Sequence, residues 1–179
     1  VDSGGAGVHR GGNGLSVAYR FLVDGHIGIH DDRWLTYPWG VNGGKPGMRS
    51  TKLLVRADGS EEYIPAKCED VKVQKGDLLY FNTWGGGGWG DPLQRDPAIV
   101  ASDVAKKLVS AEGARRYGVV LNDDLTLNDK ETKSLRAEMS KDTVKDEMFN
   151  FGGTIDEIKS KSLEETHLAA PVSPTFANQ

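Results

Sequence analysis

The chain has one cysteine in 179 residues, Cys68, so it forms no internal disulfide. That agrees with a reducing compartment, and we expect a cytoplasmic protein. No apolar run approaches the roughly 20 residues that a membrane helix needs, so no membrane partner is expected. The charge is nearly balanced, with 22 Lys and Arg against 26 Asp and Glu. Nothing in it marks a nucleic-acid surface. Phosphate loops are missing too. No Gly-Lys-Ser/Thr closes a Gly-x-x-x-x-Gly run, and Gly7-Val8-His9-Arg10-Gly11 is not a dinucleotide fingerprint. Histidine is sparse, at four residues. His26 and His30 share one face of an expected strand but lie about 13 Å apart, too far for one ion to be held by both. Asp31 and Asp32 beside them read as a turn. We expect no metal in this chain. Cys68 is followed by Glu69 and Asp70, whose charges raise a thiol pKa, so it reads as a structural thiol.

What the chain has is glycine, 23 residues of it. The densest run is Gly85-Gly86-Gly87-Gly88-Trp89-Gly90-Asp91-Pro92. Glycine loses more backbone freedom on folding than any other residue, so a dense run needs a reason. Backbone at φ > 0 is one, and close approach of another chain or a ligand is a second. A flexible linker is the third. Trp89 argues against the linker, since an indole gains most when buried. Two more runs share the theme. Gly4-Gly5-Ala6-Gly7-Val8-His9-Arg10-Gly11-Gly12-Asn13-Gly14 lies near the start, and Trp39-Gly40-Val41-Asn42-Gly43-Gly44-Lys45-Pro46-Gly47 in the middle.

These motifs, in this order and spacing, resemble the C-terminal part of the hydantoinase B / oxoprolinase family. Its relatives include N-methylhydantoinase, 5-oxoprolinase, caprolactamase and acetone-type carboxylase subunits. The likeness continues through Arg95-Asp96-Pro97 and Ala114-Arg115-Arg116-Tyr117-Gly118-Val119-Val120-Leu121. It implies the C-terminal portion of a hydantoinase B-like subunit of an ATP-dependent cyclic amide hydrolase, opening a hydantoin, oxoproline or lactam ring. In that chemistry a hydantoinase A-like ATP-binding subunit or a fused domain phosphorylates the amide oxygen, and the hydantoinase B part assists attack by water. ATP is thus expected on a partner subunit or domain. A divalent metal is expected on an N-terminal portion of the same protein, which would be the chain's other partner, beside the small-molecule substrate. Family members run to several hundred residues and this sequence starts inside the first motif, which accords with a C-terminal piece. Two alternatives stay open: a subunit of an ATP-dependent ketone carboxylase, and a non-catalytic scaffold for subunit docking.

The pattern of residues gives an α+β fold, with an antiparallel β-rich first half carrying Gly-rich loops and a helical second half. Leu15, Val17, Tyr19, Phe21 and Val23 alternate at period 2, as in a half-buried strand. An Asp24-Gly25 turn leads to a second strand, His26 to His30. Residues 52–56 and 61–66 form a hairpin candidate around Ala57-Asp58-Gly59-Ser60, and 71–73 with 78–81 another around Gln74-Lys75-Gly76-Asp77. After Asp96-Pro97, an N-cap with Pro at the first helical position, Val100, Val104 and Leu108 form one apolar stripe. A short helix from Ser110 to Arg116 stops at Gly118. A charged helix runs from Asn128 to about Met148, with Leu135, Met139 and Val144 as its contacts. A Thr-x-x-Glu capping box at Thr154 opens a fourth. We divide the chain into a β-rich Gly-loop segment, 1–95, a helical extension, 96–165, and an extended or disordered tail, 166–179.

The polar site candidates are His9 and Arg10, where an Arg fork suits a carboxylate, phosphate or oxyanion. Arg10 bonded to loop carbonyls is the structural alternative. Gly11, Gly12, Gly43, Gly44, Gly86, Gly87, Trp89 and Asp91 are the structural or substrate-loop candidates. Arg33, Trp34, Tyr37 and Trp39 either wall a pocket or fill a core.

Overall fold

The computed structural model describes residues 1–141 and 148–172. Seven strands occupy the first half: β1 (Ser16–Arg20), β2 (Gly25–His30), β3 (Gly40–Val41), β4 (Thr51–Val55), β5 (Glu61–Tyr63), β6 (Lys67–Val73) and β7 (Leu78–Asn82). A four-stranded antiparallel sheet has the order β1-β7-β4-β5, and β2 pairs with β6 in a second sheet. Period-2 patterning sets which face is buried. In β4, Lys52 and Leu54 point inward and Thr51, Leu53 and Val55 are half-buried. Leu54 lies opposite Leu79 and joins Ile29, Ile64 and Val73 in one apolar core. Lys52, 1 % exposed, is paired there with Asp31, while Ser50 Oγ donates to Asp31 Oδ2 at 2.6 Å. A buried lysine is tolerable only when matched in this way. Asp31 is therefore a core partner rather than a turn residue.

The hairpin around Ala57–Ser60 forms, as β4–β5. The other two strand pairs do not. β1 and β2 lie in different sheets, and so do β6 and β7. The cause is that β7 is a central strand, bonded to β1 on one edge and β4 on the other. The turn before it is also tied elsewhere. The Asp77 carboxylate accepts from the Gln74 N–H at 3.0 Å and from the Ala57 N–H at 2.9 Å. That fastens the turn to the β4–β5 end.

Helices follow. Asp96 caps α1 (Pro97–Ala105), accepting from the Ala98 N–H at 2.8 Å. Val100 and Val104 pack with Ala6, Val109, Ala114, Tyr117 and Val119 in a second core. The helix stops at Ala105, so Leu108 leaves the stripe and Val109 takes the buried place. The Ser110–Arg116 segment is a 3-10 helix over Gly113–Tyr117, ended by left-handed Gly118 at φ 64°. α2 (Asp129–Met139) is shorter than expected, closing at Ser140. Its buried residue is Thr132, so little apolar burial favours extending it. Val144 lies outside the described residues. Phe149–Asn150 forms a further strand, β8, paired with β3. The Thr154 capping box opens α3 (Ile155–Ser160), and α4 (Ser162–Thr166) follows. Residues 173–179 of the expected tail lie outside the described residues. Among the described residues no helix is long and apolar enough to cross a membrane.

Candidate functional site

The three Gly-rich runs, far apart in sequence, fold into one lattice of extended backbone. The Gly5 N–H donates to the Gly86 carbonyl at 2.8 Å, and the Gly86 N–H to Gly12 at 2.8 Å. Lys45 N–H donates to Ala6 O at 2.7 Å, Gly88 N–H to Lys45 O at 2.9 Å, and Val41 N–H to Gly88 O at 2.9 Å. His9 and Trp89 exchange both backbone bonds, at 3.0 and 2.9 Å. Buried amides must be paired, and these strands pair one another.

Glycine is required because the strands approach more closely than a side chain permits. A Cβ on Gly87 would overlap the Trp39 carbonyl oxygen; one on Gly85 or Gly88 would overlap that of Ser3 or Ala6. Gly11 and Gly44 face the carbonyls of Gly86 and Gly88 in the same way. Within residues 85–92 only Gly90, at φ 75°, uses the left-handed region. Gly43, at φ 92°, lies against Asp91. Gly86 is less crowded, since a Cβ there would come no nearer than 3.2 Å, to Gly12 N, and a Cβ on Gly12 would meet open space. Trp89 is not buried, contrary to expectation: it is 48 % exposed. Its backbone, not its indole, is held, and the ring lies against His9 at 5.4 Å. Asp91 caps the 3-10 helix Pro92–Gln94, accepting from the Leu93 N–H at 2.9 Å.

Arginines clamp the lattice to the helices. Arg10 donates to Gly11 O at 2.7 Å and to Asn13 Oδ1 at 3.3 Å, and its Nε lies 3.6 Å from Asp103. Arg95 donates to Val8 O at 2.6 Å and to Asp103 at 2.8 Å. Arg116 donates to Asp2 O at 3.1 Å and to Asp2 Oδ1 at 3.0 Å. Arg10 is thus spent on loop carbonyls and on α1, while His9 is exposed. The cluster around Trp39 divides. Arg33 lies 5.0 Å over Trp39, whose exposed ring meets Phe149 and Phe151 edge-on at 6.0 and 5.2 Å. Tyr37 faces elsewhere.

His26 and His30 each face a carboxylate of their own, Asp70 and Glu69. Burial raises the Cys68 thiol pKa, with Glu69 adding to it and a hydrogen bond from Ile29 opposing it. Among the described residues no group of three His, Cys, Asp or Glu is placed to hold a metal ion.

A cleft of about 570 Å³ opens beside the lattice. Ser3, Gly14, Pro46 to Met48, Ser16, Thr51, Asn82 and Thr83 line it. Tyr37, Arg49 and Glu165 line it too, as one bonded group. Arg49 is nearly sealed, its side chain 2 % exposed. Its Nη2 donates to Tyr37 Oη at 2.8 Å and to Ile158 O at 2.9 Å, and its Nε lies 3.0 Å from Glu165 Oε2. Its Nη1 is buried without a hydrogen-bond partner. Tyr37 donates to Glu165 at 2.6 Å. Burial raises the Tyr37 pKa and the Glu165 hydrogen bond adds to it, against the pull of Arg49. Sequence reasoning missed Arg49 and Glu165. Neither stands in a motif, and only folding brings α4 to the cleft.

The Hydantoinase B/oxoprolinase family model matches residues 1–92, just over half of the chain. The chain belongs to this family. It is 36% identical over 144 residues to the beta subunit of the caprolactamase of Pseudomonas jessenii, covering 76% of this chain and 24% of that protein. It is 32% identical over 133 residues to a putative D-/L-hydantoinase component of a Pseudomonas species, covering 73% and 22%. The crystal structure of the ATP-dependent caprolactamase from Pseudomonas jessenii superposes with a TM-score of 0.62 at 32% identity over 76% of this chain and 24% of that one. A nucleotide-free acetone carboxylase structure superposes with a TM-score of 0.66 over 92% of this chain and 26% of that one. At 21% identity, that likeness concerns the fold alone. The chain spans about a quarter of the length of these relatives.

Proposed function

We propose that this chain is the C-terminal portion of a hydantoinase B-like subunit in an ATP-dependent hydrolase of cyclic amides. The observation that carries the proposal is the joint likeness in sequence and structure to caprolactamase, over 76% of this chain. The family likeness supports placing ATP on a hydantoinase A-like partner subunit or domain, and a divalent metal on an N-terminal portion of the same protein. This chain's share is architectural: a rigid backbone lattice, clamped by Arg10, Arg95 and Arg116, that fixes the wall of the cleft. Such rigidity is what holds reacting groups in position.

The test is ATP hydrolysis by the full-length protein with its partner subunit, offered hydantoin, 5-oxoproline, caprolactam, or acetone with bicarbonate. ATP turnover that depends on a cyclic amide supports the proposal. Turnover with acetone and bicarbonate alone replaces it with the carboxylase alternative. Turnover with none of them overturns it.

A further inference from the structure

We propose that the cleft is a binding site for a small carboxylic acid, with Arg49 and Tyr37 as its receptor and Glu165 as an internal stand-in for the ligand carboxylate.

The receptor half is built into the scaffold. The Arg49 guanidinium lies 4.2 Å over the Tyr37 ring and is braced by the Ile158 carbonyl. Arg49 Nε, at 3.0 Å, and the Tyr37 hydroxyl, at 2.6 Å, face the same Glu165 carboxylate, a group to which an arginine is suited. A side chain this buried is not left charged without a purpose or a partner. Its Nη1 has no hydrogen-bond partner, so Glu165 does not exhaust its donors.

The occupant half is not built in. Glu165 comes from α4, which is five residues long, and its side chain is 37 % exposed. A rotamer change can return it to water without moving the sheet, and hydration compensates its lost pair. The cleft that it lines has room for a small molecule. Ser16 and Thr51 offer hydroxyls further along it, and Leu15 and Met48 offer apolar contact. That combination of a few polar groups on an apolar wall suits a small organic acid. The receptor makes no use of His9, and Gly14 and Gly47 give it only wall; its test reads binding alone and does not depend on turnover of a cyclic amide.

The experiment measures binding of glutarate to the full-length protein by calorimetry, with the uncharged glutaramide as control. We expect saturable glutarate binding, none of glutaramide, and at least tenfold tighter glutarate binding in E165Q, where no internal carboxylate competes. Tyr37→Phe, which keeps the ring, should weaken binding about fivefold. Equal binding of acid and amide, or no glutarate binding to folded E165Q, overturns the proposal. So does unchanged binding in Tyr37→Phe. Unfolding of E165Q also overturns it, because Glu165 would then be a structural clasp rather than a replaceable occupant.

Discussion

Around Leu54 the chain packs side chain against side chain; around Gly87 it packs backbone against backbone. The first region is an ordinary apolar core, in which Leu54, Ile64 and Leu79 fill the space between sheets. Its neighbours can shift when a methylene is lost or gained. The second has no side chains to shift. The obstacle to a Cβ on Gly87 is a carbonyl oxygen already fixed in the lattice. The entropy cost of ordering so many glycines is offset by a dense set of backbone hydrogen bonds, which closer spacing makes possible. A lattice of this kind tolerates almost nothing where strands touch, and almost anything where they do not.

That contrast sets an order of effects. The largest is Gly87→Ala. Overpacking costs about 1–3 kcal/mol where side chains can move, and here backbone must move, so we expect the lattice not to form. Circular dichroism and limited proteolysis of the full-length variant would check it. Next is Leu54→Ala, about 2–5 kcal/mol from lost burial and the cavity left behind, read by denaturant unfolding. Asp103→Ala should follow at about 3 kcal/mol, because Arg10 and Arg95 lose the carboxylate that they share. A mild result there would show that the lattice holds without its clamps.

A pH effect comes next. Hydrogen bonds from the Gln74 and Ala57 backbone, with the charge of Arg56, hold the Asp77 carboxyl below its ordinary value of 3.8. The unfolded chain therefore takes up that proton first, and acid favours unfolding. The stabilisation is present above about pH 4 and is lost as pH falls below it through the folded-state pKa. Unfolding midpoints between pH 6 and pH 3 should show a decline that Asp77→Asn flattens. The smallest effect is Gly12→Ala. Its Cβ would meet open space, so stability should change by less than about 1 kcal/mol in either direction.

Local patterns in the sequence carried the strands, the caps and the helix starts. Asp96-Pro97 and the Thr154 capping box are complete within four residues, so they could be read without tertiary knowledge. Strand partners could not. Gln74–Asp77 forms its turn, the Asp77 N–H donating to the Gln74 carbonyl at 3.1 Å, whereas Gly25 opens β2 rather than a turn, and β7 is satisfied on both edges by other strands. The Gly runs were legible as ordered, but not through burial of Trp89, since its ring is exposed. A sequence shows that glycines occur, not whether φ or crowding demands them. Arg49 and Glu165 stayed invisible because nothing near either residue signals the other.

Close approach, rather than backbone conformation or flexibility, explains the run at Gly85 to Gly88. Thermal unfolding of Gly87→Ala beside Gly86→Ala, in the full-length protein, tests that claim most directly. The two residues are adjacent and neither uses φ > 0, yet one Cβ would overlap backbone and the other would meet Gly12 N at 3.2 Å. We expect Gly86→Ala to melt within a few degrees of wild type and Gly87→Ala to give no native transition. Equal, small shifts in both variants would contradict close approach and return the run to a flexible linker.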